Sequence, residues 1–76
     1  MNHLSAIRTF VSAADYKSFS AAAKALNIEV STVSRHISEL EEYLQVTLFN
    51  RSTRGLALTE TGAFFYSHAQ QLLLQW

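Results

Sequence analysis

A chain of 76 residues with no cysteine and a formal net charge of zero sets narrow bounds. One small domain is expected, with a core that is marginal by itself and that neither disulfides nor a cysteine metal site can brace. No apolar run is long enough to span a membrane and the start does not read as a signal peptide, so a cytoplasmic protein is the simplest expectation. An apolar fraction of 49% is high for this length and suggests apolar surface meant for a partner.

Residues 3–15 read as the first helix. Leu4, Ile7, Phe10, Val11 and Ala14 recur at helical spacing and form one stripe, while Arg8, Thr9, Ser12 and Asp15 fall off it. Tyr16-Lys17-Ser18 makes a short connection. Either Ser18 or Ser20 can cap the next helix by accepting a bond from an unpaired backbone N–H.

Residues 19–38 predict two short helices joined by a tight turn. Ala22, Ala23 and Leu26 mark the inner face of the first, and Val33, Ile37, Leu40 and Leu44 that of the second. Asn27 lies between them and tolerates the left-handed backbone that ends a helix, after which Ile28 drops into the corner. The small Ala22 and Ala23 allow two helices to meet at a steep angle. This is a helix-turn-helix pattern, whose second helix enters the DNA major groove.

The outward side of that second helix offers Val30, Ser31, Thr32, Ser34, Arg35 and Ser38, with no acid from Val30 to Ser38. Short side chains let a helix sit deep in a groove. Hydroxyls can bond bases or phosphates, methyl groups can touch thymine, and Arg can fork onto guanine. Ser31 taken alone is better explained as a residue that caps or solvates a helix start; the whole set, after this turn, favours DNA. His36 is balanced between a phosphate contact and an ordinary helix surface position. His3, His36 and His68 are scattered without carboxylate or Cys companions, so no metal site and no cofactor are expected.

Neutral net charge counts against nucleic acid at first sight, because such modules are basic overall. The distribution softens the objection. Asp15, Glu39, Glu41, Glu42 and Glu60 lie outside the proposed DNA face, Glu29 being the exception, and residues 43–59 carry Arg51 and Arg54 with no acid. Residues 39–47 close the second helix, with Glu39, Glu41 and Glu42 expected on its solvent side. Their clustering does not suggest catalysis, since no nucleophile, metal ligand or glycine-rich phosphate loop accompanies them, and no enzyme activity is expected.

Leu48 to Leu58 reads as two very short strands around Asn50-Arg51-Ser52-Thr53-Arg54-Gly55, a wing in which Gly55 supplies backbone angles other residues resist. Thr59 is a good N-cap for the last helix, with Glu60 near its positive end. Gly62, Phe65, Tyr66, Ala69, Leu72, Leu73 and Trp76 share one stripe, while Phe64 and Leu74 lie outside it. A helix apolar on more than one side suggests two partners, its own domain and a second copy. Trp76 ends the chain without a cap or polar tail, as expected of a fragment cut within this helix.

The runs Phe19-Ser-x-Ala-Ala-Lys-x-Leu26, Val33-Ser-Arg-x-Ile37, Leu40-Glu41, Leu48-Phe-x-Arg51 and Leu58-Thr-Glu-x-Gly62 fall in the order and spacing of one family. Through them the chain resembles, over essentially all its length, the N-terminal domain of LysR-type transcriptional regulators. The resemblance implies a mainly α fold, a winged helix-turn-helix over residues 1–59 followed by a long linker helix over 60–76 that pairs two subunits. It implies sequence-specific binding of a roughly palindromic double-stranded operator, with a recognition helix at about 31–43 in the major groove and a wing at about 50–55 at the minor groove. A small-molecule effector would bind only a C-terminal domain that this chain lacks.

The residues implied to contact DNA are Ser20, Val30, Ser31, Thr32, Ser34, Arg35, His36, Ser38, Arg51 and Arg54. Arg54 would line the minor groove, and Arg51 would both brace the wing and approach phosphate. Phe64, Phe65, Ala69, Leu72, Leu73 and Trp76 would form the pairing face of a homodimer. The chain departs from the family at Glu29-Val30-Ser31-Thr32, where many members have Ser-Gln-Pro-Ala. Val30 cannot hydrogen-bond a base edge, and Glu29 either moves the helix cap to Ser31 or leaves it weaker. A protein-interaction module on the same scaffold is the rival reading, supported by the neutral charge and Glu29.

Overall fold

The computed structural model describes residues 3–52 and 55–74. Four helices and one two-stranded sheet follow in the order α1 (His3–Tyr16), α2 (Phe19–Leu26), α3 (Val30–Leu44), β1 (Phe49–Ser52), β2 (Gly55–Leu58) and α4 (Glu60–Leu74). Tyr16 hands over to α2 through Lys17 in a left-handed conformation (φ 54°). Ser18 then caps α2, its Oγ accepting from the Ala21 N–H at 3.1 Å. Ser18, not Ser20, is therefore the cap.

Asn27 closes α2 as its residue type suggested, at φ 59° and ψ 46°, and Ile28 N–H donates to the Ala23 carbonyl at 3.0 Å. The same device ends α3. Gln45 adopts φ 59° and ψ 40°, and Val46 N–H donates to the Glu41 carbonyl at 3.1 Å. Because of this second left-handed turn α3 stops at Leu44 rather than running on through 47.

The core gathers Ala6, Phe10 and Ala13 of α1, Ala22 and Ala23 of α2, Val33, Ile37 and Leu40 of α3, Leu48 and Phe49 before and in the wing, and Ala69 of α4. The α1 stripe differs from the one its spacing predicts. Leu4, Ile7, Val11 and Ala14 are only half-buried, and Thr9 is buried. The reason is that α1 packs against α2 and α3 on one side and α4 on another, so the residues between those contacts are covered most fully. Thr9 tolerates burial because its hydroxyl donates to the Ser5 carbonyl one turn back at 2.9 Å.

The wing strands are antiparallel, pairing Phe49 with Leu58, Asn50 with Ala57, Arg51 with Leu56 and Ser52 with Gly55. Gly55 has φ 113°, a conformation only glycine adopts easily. The wing is tied to the helices at both ends. Glu41, expected on the solvent side of α3, turns inward, and its Oε2 accepts from the N–H groups of Leu48 (2.7 Å) and Phe49 (3.3 Å). At the other end Thr59 N–H donates to the Leu48 carbonyl at 3.0 Å, while its hydroxyl donates to the Thr47 carbonyl and accepts from Gly62 N–H.

α4 leaves the wing pressed against the body. Phe65 and Tyr66 pack around Phe10, with ring centroids 5.3 and 6.4 Å away. The Tyr66 hydroxyl donates to Asp15 of α1 and accepts from Gln70 Nε2 at 3.0 Å. Among the described residues, no helix is long and apolar enough to cross a membrane.

Candidate nucleic-acid interface

α3 sorts its residues cleanly. Val33, Ile37 and Leu40 are buried, Leu44 is half-buried, and on the far side Ser31, Arg35 and Ser38 are exposed at steps of four and three. Thr32 and Ser34 lie half-buried on the flanks, and Val30 is 45% exposed at the first position of the helix. An exposed valine here is a surface methyl pair that the fold itself does not use.

The helix start answers the question that Glu29 raised. Glu29 occupies the N-cap position at φ −75° and ψ 148°, and its side chain makes no cap hydrogen bond. Its carbonyl receives Thr32 and Val33 N–H, so the helix begins one residue before Ser31 and the cap is not transferred to that serine. Thr32 N–H, the counterpart of the Ala21 N–H that Ser18 caps in α2, is taken by the Glu29 carbonyl, and no side chain caps the start of α3.

His36 does not join the exposed face. It is half-buried against α1, with Nδ1 2.9 Å from Thr9 Oγ1. The contact ties α3 to α1 and sets His36 back from the row of Ser31, Arg35 and Ser38, a placement visible only once residues 27 positions apart meet.

Ser20 is exposed in the first turn of α2. Arg51 is exposed on β1, and its Cζ lies over the Phe19 ring, 4.7 Å from the centroid. Phe19 opens α2 immediately after the Ser18 cap. Arg54 lies outside the described residues, as does Trp76. Among the described residues no cluster of three or more His, Cys, Asp or Glu could hold a metal ion.

The supposed pairing face of α4 divides in two. Ala69 is 2% exposed and Phe65 rests on Phe10, so both serve the domain's own core. Their turns of α4 face α1, with Ala69 buried and Phe65 half-buried. Phe64 (70% exposed), Leu72 (46%) and Leu74 (86%) stand outward, with Leu73 half-buried. Phe64 and Leu74 are the two residues that fell outside the predicted stripe.

Comparison with known proteins places this geometry. Residues 4–63 match the profile of the bacterial regulatory helix-turn-helix proteins of the lysR family. The HTH-type transcriptional activator AaeR of Escherichia coli is 41% identical over 73 residues, 96% of this chain and 24% of its own length. An HTH-type transcriptional repressor of Pseudomonas aeruginosa is 44% identical over 75 residues, 99% of this chain and again 24% of the relative. The chain thus spans about a quarter of the curated relatives it matches. Among solved structures, the BenM DBD in complex with catB site 1 DNA superposes with a TM-score of 0.92 at 39% identity, covering 95% of this chain and 81% of that one. The CbnR DBD–DNA complex gives 0.90 at 32% identity, with 95% and 83% covered. With the profile spanning residues 4–63 and the fold superposing closely on such domains, the chain belongs to the lysR family of bacterial regulatory helix-turn-helix proteins.

Proposed function

We propose that this domain binds double-stranded DNA in a sequence-specific manner, as the DNA-reading part of a dimeric transcription regulator acting in the cytoplasm. The observation that carries the reading is the outer face of α3. Ser31, Arg35 and Ser38 lie exposed in line, behind an exposed Val30 and a helix start whose N–H groups have no side-chain cap. That combination suits a helix lying N-terminus first in a major groove. The likeness to the BenM and CbnR domains, whose structures contain DNA, supports it.

In this reading α3 enters the major groove. Arg35 donates to a guanine edge or a phosphate, Ser31, Thr32, Ser34 and Ser38 bond bases or backbone, and Val30 meets a thymine methyl. Ser20 and Arg51 approach the phosphate backbone, and Arg54 serves the minor groove from the wing. Residues 1–59 form the reading head. α4 continues from them as the pairing helix, with Phe64, Leu72 and Leu74 as its outward contacts. Two copies would read half-sites about one helical turn apart. The relatives are transcriptional regulators, which supports a non-catalytic role. Effector control belongs to the part of such proteins that this chain does not span.

Selection from a random duplex library with the purified domain, at low and moderate salt, tests the proposal. A two-fold symmetric motif is expected. If nothing is enriched, even when the domain is fused to a dimerisation partner, the reading is lost in favour of a protein-interaction module.

A further inference from the structure

We propose that Phe19 is a positioning residue for Arg51, holding its guanidinium in place for a DNA backbone phosphate; this rests on the DNA-binding role of Arg51 given above. Arg51 extends from an exposed strand, where a long side chain would otherwise sample many rotamers. Its Cζ instead lies 4.7 Å above the Phe19 ring. Among the described residues no carboxylate pairs with it.

The ring that carries Arg51 is itself rooted in the core. Phe19 meets Phe49 edge-on at 5.8 Å, and Phe49 leans on Phe10 at 5.4 Å. Phe49 is 5% exposed and Phe10 fully buried. Phe49 and Arg51 are two apart on β1, so the strand's alternation turns both to one side, where the start of α2 lies across them. The aromatic series therefore ends at the surface in a cation.

The chemistry suits an anion contact. A guanidinium held over an aromatic face keeps its charge and its N–H donors, whereas a carboxylate partner would occupy both. Holding the side chain in advance also removes part of the ordering cost when the phosphate arrives. Phe19 lies one residue beyond the α2 cap, so the phosphate that Arg51 meets is the one that α2 approaches with its first turn.

The test is a double-mutant cycle read by binding to a mixed-sequence duplex across a salt series, which reports backbone contacts without knowledge of the operator. Arg51→Gln is expected to weaken binding and to reduce the salt slope by about one unit. Phe19→Leu is expected to lose about two- to five-fold in the parent and nothing further in the Arg51→Gln background, while Phe19→Tyr, which keeps the ring, restores binding. In NMR spectra the Arg51 Nε–H resonance should lose its ring-current shift in Phe19→Leu and keep it in Phe19→Tyr. Equal losses from Phe19→Leu in both backgrounds would mean that the ring acts only on the fold, and overturn the proposal. So would a parent-like affinity and salt slope in Phe19→Leu. An unchanged salt slope in Arg51→Gln, with the parent binding DNA, removes the phosphate role of Arg51 alone. Failure of the parent to bind any duplex removes the DNA reading as a whole.

Discussion

Gly62 is the position where one methyl group should matter most. It lies in the first turn of α4, where a Cβ would sit 2.1 Å from the Leu48 carbonyl oxygen and 3.1 Å from Leu58 Cδ2. The first of these is more than an ångström inside ordinary contact distance, and the obstacle is backbone. That carbonyl cannot simply swing aside, since it accepts from Thr59 N–H at 3.0 Å. Gly62 N–H is also the group capped by Thr59, so shifting the turn strains a second bond. Overpacking of this kind costs about 1–3 kcal/mol, and a lost hydrogen bond adds about 1 kcal/mol. Alanine returns about 1 kcal/mol through its better helix propensity. The net expectation for Gly62→Ala is a loss of about 2 kcal/mol, close to 10 °C in Tm for a domain of this size. Thermal and urea denaturation followed by circular dichroism measure it. If Gly62→Ala proved as stable as the parent, or more so, the close approach of α4 to the Leu48 backbone would be refuted.

Arg35→Ala should weaken binding to the preferred duplex by about 1–3 kcal/mol while leaving Tm unchanged, because the side chain is exposed; equal affinity in a titration would remove its assigned role. Glu41→Ala should lower stability by about 1–3 kcal/mol, as it leaves the Leu48 and Phe49 N–H groups without their acceptor. Amide exchange at those two residues should rise most, and unchanged exchange would contradict the contact. Tyr66 should ionise above the ordinary phenol range, held there chiefly by its hydrogen bond to Asp15 and further by desolvation and the nearby carboxylate charge. Because the folded value is raised, this group's contribution to stability is complete below the unfolded phenol value. It is lost as pH climbs through the folded one. Asp15→Asn should bring the Tyr66 ionisation, followed by ring NMR signals, down towards the ordinary phenol range, and an unaltered Tyr66 titration would sever the Asp15 link.

Much of the molecule can be read along the chain because its signals are local. The left-handed turn at Asn27, the small pair Ala22 and Ala23, the spacing of Val33, Ile37 and Leu40, and Gly55 in the wing each depend on neighbours a few residues away. Together they specify a winged helix-turn-helix and the face of α3 that is left exposed. Periodicity also singled out Phe64 and Leu74 as surplus to one core stripe, and both are exposed.

Tertiary structure alone decided the rest, for two physical reasons. A helix with neighbours on two sides has no single buried stripe, so spacing could not show that Thr9 is covered and Leu4 only half so, nor that Phe65 and Ala69 face inward. Polar side chains find partners far along the chain, and their chemistry admits several. Glu41 reached the wing backbone instead of water, and His36 turned to Thr9 instead of the open face. Arg51 met the ring of Phe19, 32 positions earlier in the chain. Local sequence determines which residues share a face; only the packed neighbours determine what that face meets.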